Sequence, residues 1–216
     1  EAKGAFLSQI SHEIRNPLTA IMGGIDLLAL PADAAQTEER MEIVRRSANA
    51  LFDFVEDVND YSNIVQRQVK ITPTDIDIVQ MIREIERSYR PKALELGIGF
   101  FIDIAPTVPT STWMDPIRVR QVLVNLIDNA FKFTTDGSVT IEVSPNLHED
   151  GTPVLMFGIE DTGIGIPDTF YSHLFEPYKQ GNRAATLKYS GIGLGLPICY
   201  HLVTLMHGQL GFETEV

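Results

Sequence analysis

Phe6-Leu7-Ser8-Gln9-Ile10-Ser11-His12-Glu13-Ile14-Arg15-Asn16-Pro17-Leu18 sets the fold of the first third of this chain. Its apolar residues, continued at Ile21, Ile25 and Leu28, fall at helical spacing. His12 stands two residues from Ile10 and two from Ile14, which at 100° per residue turns it away from the apolar seam and into water. An exposed histidine in a helix is by itself an ordinary surface residue. Here Glu13 is adjacent and Asn16 lies one turn on, on the same face. Pro17 removes a backbone donor and frees the carbonyl of Glu13, which predicts a local kink. A nucleophile, a carboxylate beside it and an amide one turn below form a candidate phosphoryl-transfer site.

Working outward, Pro31 and the small polar stretch up to Thr37 break the helical pattern. Val44, Ala48, Leu51, Val55 and Val58 then step 4, 3, 4, 3, the spacing of a heptad seam. These residues predict a helical hairpin. A seam this narrow needs partners, so a homodimer forming a four-helix bundle is expected. Asp57 and Asp60 read as a solvated face of that bundle.

Beyond Val65 the texture changes. Residues 69–78 alternate like a strand, 77–96 read as a helix ended by Gly97, and 99–104 as a strand. Asp115-Pro116 is a strong helix start, and that helix runs to about Phe133. Strands are expected at 138–143 and 154–160 around a turn at Glu149-Asp150-Gly151, and a last helix at 195–206. Strands and helices in this order predict an α+β sandwich, helices on one face of a sheet. Two domains follow, 1–66 and 67–216, with a hinge near 62–68.

Bulk properties narrow the chemistry. The 216 residues carry a net charge of −12, which argues against a nucleic-acid surface. Cys199 is the only cysteine, so no intrachain disulfide is possible, and His148, His173, His201 and His207 show no metal-ligand spacing. No apolar run approaches the roughly 20 residues that span a bilayer, so no membrane contact and a cytoplasmic setting are expected of what reads as a fragment.

Three later segments carry further chemistry. Asn125, Asn129 and Lys132 are spaced 4 and 3 apart and line one helical stripe, with Val122, Leu126 and Ile127 on a separate core face. Amides can supply metal and phosphate contacts, and a lysine can hold a phosphate as a point charge. Asp161-Thr162-Gly163-Ile164-Gly165-Ile166-Pro167 follows an apolar strand. Its glycines let backbone approach a flat ligand, and its carboxylate can accept from an exocyclic amine. Gly191-Ile192-Gly193-Leu194-Gly195-Leu196 opens the last helix, where N–H groups favour phosphate.

Residues 11–18 resemble the H-box of the two-component sensor histidine kinases, and the three later segments resemble the N-box, G1 and G2 motifs of Bergerat-fold ATPases. The likeness runs from Phe6 to about Gly208. It implies His12 as phospho-acceptor, Glu13 as the base that orients it, and Asn16 as the residue that aligns water when a partner is dephosphorylated. It implies ATP and Mg²⁺ as cofactors, with Asn125 the metal ligand, Asn129 and Lys132 on the phosphates and Asp161 on adenine. Gly163 and Gly165 would shape that wall, and Gly191, Gly193 and Gly195 the phosphate side of a lid. Phe175-Glu176-Pro177-Tyr178 is similar to the F-box, with Tyr178 where Phe is usual. Residues 180–190, with Arg183 and Lys188, would be the lid. Relatives that hydrolyse ATP carry Glu where Asn125 stands, so the pocket is expected to hold ATP for transfer to His12. From there the phosphoryl group is expected to pass to an Asp of a response-regulator receiver domain. The lead-in at 6–8 resembles hybrid kinases, which carry such a receiver further along.

Some positions depart from the pattern. Ser190 and Ile192 replace the usual Gly and Thr, and His207 stands where Gly is common. The chain stops before the closing strand and hairpin usual in the family, which leaves the sheet short of one edge. Three other functions remain open at this point: a silent nucleotide-sensing or dimerisation module, a phosphatase acting mainly through Asn16, and a plain ATP hydrolase, which Asn125 disfavours.

Overall fold

The structure, a computed structural model, describes residues 2–148, 151–177, 179 and 193–215, with 2–9 described by backbone alone. The chain divides into two compact units, Glu1–Gln66 and Arg67–Val216.

The first unit is a helical hairpin. Helix α1 spans Ala2–Leu28 and is continuous through Pro17, and α2 spans Ala34–Val65. Asp33 caps α2 by accepting from the Gln36 amide at 2.8 Å. The Arg40 guanidinium closes the turn by donating to the carbonyl oxygens of Leu27 (2.6 Å) and Leu30 (3.1 Å) at the end of α1. The helices approach closely at Gly24, where a Cβ would lie 2.6 Å from Val44 Cγ2. On α2 the seam splits. Val44, Leu51 and Val58 are half-buried, Phe54 and Ile64 are buried, and Ala48 and Val55 are exposed. Leu18, Met22, Ile25, Met41, Phe52 and Val55 stay open to solvent in the single chain. After α2, Gln66 caps the helix and Arg67 takes a left-handed φ of 55°, a conformation that costs a non-glycine residue roughly 1 kcal/mol.

Asp57 corrects the expectation of a solvated face. It is half-buried, and its carboxyl is pushed up to about 6, first by desolvation and then by the charges of Asp60, Asp53 and Glu56. The folded hairpin therefore binds this proton more tightly than the unfolded chain does. Well above pH 6 the carboxylate is ionised in both states and the fold carries the whole cost of its burial and like-charge repulsion, about 3 kcal/mol for a shift of this size. That cost shrinks as pH falls through 6 and is gone below the unfolded value. Asp57→Asn should therefore raise the thermal midpoint of the hairpin at pH 8 and leave it unmoved near pH 3.5. An equal gain at both pH values, read by circular dichroism, would refute the assignment.

The second unit is the expected α+β sandwich. Strand β1 (Thr74–Ile76) pairs antiparallel with β3 (Thr112–Met114). Strand β2 (Gly99–Ile104) runs parallel to β4 (Ser138–Leu147), which pairs antiparallel with β5 (Pro153–Asp161). Helix α3 (Ile78–Leu96) starts at the Asp77 cap and ends at Gly97 with φ 70°; α4 (Pro116–Phe133) starts at Asp115 and α5 spans Gly195–Leu205. A short 3-10 segment, Asp168–His173, lies between β5 and α5. The strand expected at 69–78 is confined to 74–76, because Pro73 offers no N–H and β3 provides only three partners.

Ile82 and Ile85 of α3, Leu123 and Ile127 of α4, and Val139, Ile141 and Val143 of β4 are buried in one core. Burying each such side chain is worth roughly 1.5–3 kcal/mol before the entropy of ordering is counted. Tyr89 stacks on Phe131 at 5.7 Å, and Phe100 leans on both. Phe101, Asp103 and Glu142 lie exposed on the opposite face of the sheet. At the end of α5, His207 adopts φ 61°, with its N–H on Thr204 O and that of Gly208 on Val203 O. The position where Gly is common in the resemblance is thus a left-handed helix end, here borne by a histidine.

Candidate functional site

On α1, His12 and Asn16 are exposed and Glu13 is half-buried. The helix carries all three on an unbroken backbone, so His12 stands open to an incoming donor.

In the second unit, α4 supplies the stripe. Its start is fixed by Asp115, whose Oδ1 accepts from the amides of Ile117 (3.0 Å) and Arg118 (3.1 Å). Val122, Leu123 and Ile127 turn into the core, while Asn125, Asn129 and Lys132 remain half-buried. Asp128 departs from the stripe: its carboxylate takes the Lys92 ammonium at 2.7 Å, against α3. The stripe itself is therefore two amides and a cation. Burial lowers the pKa of Lys132, whose ammonium lies 5.2 Å from the centre of the Phe133 ring. Among the described residues no carboxylate pairs with it, and such a half-buried cation can receive an anion. That donor set fits a polyphosphate with a bound Mg²⁺.

Helix α5 packs on α4, with the Cys199 thiol donating to Val122 O at 3.7 Å. This brings its first residue to the stripe: a Cβ on Gly195 would sit 3.9 Å from Asn129 Nδ2. Gly193 precedes it with φ 70°, and a Cβ there would come within 2.4 Å of Lys179 O. Gly191, Tyr178, Lys188 and the expected lid at 180–190 lie outside the described residues.

The loop after β5 forms a second wall. Asp161 is exposed, and its Oδ1 accepts from the Gly163 amide at 2.9 Å. Gly163 abuts the end of α4: a Cβ would meet Phe133 O at 2.5 Å and Asp161 Oδ1 at 2.7 Å. Gly165 has φ 65° and lies against Glu215 O. Two threonines absent from the expected set hold this wall. Thr162 Oγ1 accepts from the Ser138 amide at 2.9 Å, and Thr214 Oγ1 accepts from the Ile166 amide at 2.9 Å. Thr162, inside Asp-Thr-Gly, could have been suspected from its place in the motif; Thr214 gives no local signal. Phe212 reaches Tyr171 at 5.2 Å and Phe175 at 6.4 Å, and Phe175 stacks on Tyr200, so the last described segment joins the wall to α5. The stripe, Gly195, Gly163 and the Asp161 loop thus meet around the C-terminal half of α4.

Comparison with known proteins gives the family of each unit. Residues 2–67 match the family described as His Kinase A (phospho-acceptor) domain. Residues 114–216 match the family described as Histidine kinase-, DNA gyrase B-, and HSP90-like ATPase. The chain is similar to Two-component system protein A of Emericella nidulans, at 35% identity over 98% of this chain and 31% of that protein. It is similar to Hybrid signal transduction histidine kinase A of Dictyostelium discoideum, at 34% identity over 96% of this chain and 10% of that protein. It thus spans less than a third of the length of either relative. Among solved structures, full-length ShkA in complex with AMPPNP is similar at a TM-score of 0.68 and 28% identity, covering 97% of this chain and 43% of that one.

Proposed function

The chain belongs to the histidine kinases, carrying a phospho-acceptor domain followed by an ATPase domain, and on that premise we propose that it phosphorylates its own His12 from ATP. The observation that carries this reading is His12 itself, exposed on α1 with Asn16 one turn away.

Residues 1–66 act as the dimerisation and phosphotransfer domain and 67–216 as the ATP-binding domain. A ring nitrogen of His12 attacks the γ-phosphorus, the bond to the bridging oxygen breaks, and ADP leaves. Glu13 orients the imidazole through its other nitrogen and takes up that proton. Asn129 and Lys132 hold the phosphates, and Lys132 is suited to this because no carboxylate among the described residues pairs with it. Asn125 would hold Mg²⁺, which when bound neutralises charge across the phosphates. Asp161 accepts from the adenine amine, Gly163 and Gly165 let that wall lie flat, and Gly193 and Gly195 place backbone N–H groups beside the phosphates. Tyr178, Lys188 and Gly191 take the wall and lid roles that the family resemblance assigns. The stripe offers water no carboxylate base, which favours transfer over hydrolysis.

The apolar residues left open on the hairpin support a homodimer, since a second copy would cover Met22, Ile25, Phe52 and Val55. The two relatives' names, a two-component system protein and a hybrid signal transduction histidine kinase, support an Asp of a receiver domain as the next acceptor. Asn16 would align water for the reverse dephosphorylation.

Incubation with γ-labelled ATP and Mg²⁺ should place acid-labile, base-stable label on the chain. Release of free phosphate without protein-bound label would replace this reading by hydrolysis. Nucleotide binding with neither would make the protein a silent nucleotide sensor.

A further inference from the structure

Asp115 uses its second oxygen for something other than capping. While Oδ1 serves the start of α4, Oδ2 accepts from the Thr72 amide at 2.8 Å. The residue is 4% exposed, so its carboxylate is largely withdrawn from water, although the bonds themselves are part-buried, and a charge-assisted hydrogen bond gains strength there. Thr72 belongs to the segment that follows α2, five residues beyond the left-handed turn at Arg67. The β1–β3 ladder that also holds this segment has only three residue pairs. One buried carboxylate therefore joins the strand entering the second unit to the first turn of the helix that bears Asn125, Asn129 and Lys132.

We propose that Asp115 is a positioning residue of the phosphoryl transfer: it locks residues 72–74 to α4, so that a movement of the entering segment carries the nucleotide stripe with it. The chain between His12 and that stripe runs through residues 66–73, and the left-handed turn at Arg67 lies on the free side of the lock. Movement about that turn then acts on a rigid piece. Without the lock the segment yields before the stripe is moved. The proposal rests on the histidine kinase reading.

Asp115→Asn separates the two tasks, because an asparagine oxygen still caps a helix while its NH₂ group cannot accept from Thr72. An amide can also turn over, so Asp115→Ser is run beside it; its single hydroxyl caps α4 and leaves nothing for Thr72. In the whole chain, hydrogen exchange should quicken at the Thr72 amide and stay slow at Ile117 and Arg118. The KM for ATP and the affinity for a non-hydrolysable ATP analogue should hold within about twofold, while kcat for His12 labelling falls about tenfold, the pattern of lost positioning. A Thr72 amide as protected in both variants as in wild type would overturn the lock. Rate and affinity falling together would reduce Asp115 to a structural prop, and an unchanged rate with Thr72 open would remove its part in transfer. A wild-type chain that takes no label sinks the kinase reading and the proposal together, whereas labelled wild type with unaffected variants sinks the proposal alone.

Discussion

His12→Gln abolishes the acid-labile label while leaving the protein folded and able to bind nucleotide. The side chain is exposed on a helix, and surface changes of this kind usually move stability by no more than about 0.5 kcal/mol. Glutamine keeps a polar side chain of similar reach in that helix but has no ring nitrogen with a lone pair for phosphorus. Label should therefore drop at least about a hundredfold, as when a nucleophile is removed outright. Binding of a fluorescent ATP analogue should not change, because every residue assigned to the nucleotide lies beyond Arg67. Label that survives in His12→Gln would move the acceptor elsewhere, with His148, His173, His201 and His207 the histidines to map next.

Gly163→Val has the second large effect, this time on nucleotide rather than on the acceptor. The new Cβ would fall 2.5 Å from Phe133 O and 2.7 Å from Asp161 Oδ1. Neither neighbour is the free end of a flexible chain: one is backbone at the end of α4, the other a carboxylate tied to the Gly163 amide. The loop must move away from α4 and take Asp161 with it. Overpacking of this kind costs about 1–3 kcal/mol of stability, tolerable for a folded domain. Loss of the adenine contact should weaken ATP binding about a hundredfold, in keeping with the penalty for an unmet polar recognition site. Gly211→Ala is the matched control, since no atom lies within 4 Å of its added Cβ. Isothermal titration with a non-hydrolysable ATP analogue reads both variants. Unchanged affinity in Gly163→Val would remove this loop from the nucleotide wall.

The parts of the fold legible in the sequence were those written in local chemistry. Asp77 and Gly97 bound α3, and Asp115-Pro116 opens α4, because caps and left-handed ends are decided by one or two residues. The hairpin was legible for a similar reason: a 3-4 repeat over many turns admits one geometry. β3 is not legible because three residues, Thr112–Met114, are too few to establish a period. The 3-10 segment at Asp168–His173 is too short to carry a period. The partly buried setting of Asp57 is not legible, because the spacing of residues along α2 does not reveal burial.

The same division holds for the candidate site. That Asn125, Asn129 and Lys132 share a stripe follows from helix geometry alone. That Asp128, in the same run, turns to Lys92 does not, because the partner lies on another helix. The tie from Asp115 to Thr72 spans 43 positions and involves a backbone donor, so no residue type announces it. Thr214 is invisible for the same reason.

The contact of Thr214 and Glu215 with the loop at Gly165 and Ile166 also has a consequence for the order in which this protein is made. The hairpin is complete in sequence by residue 66, so its internal contacts can form while later residues are still being made. The loop after β5, the proposed adenine wall, cannot complete its contacts so early, because a partner of the Ile166 amide is 48 residues further on. Closing a loop of that length is slow compared with the helices beside it, and until residue 215 emerges the Gly165–Ile166 end of the loop after β5 lacks its backing from Thr214 and Glu215. On the proposed reading, His12 is thus displayed well before the nucleotide site is complete. On the same reading, during synthesis the phosphoryl group would reach His12 from another copy whose residues 67–215 have already folded, and not from its own chain.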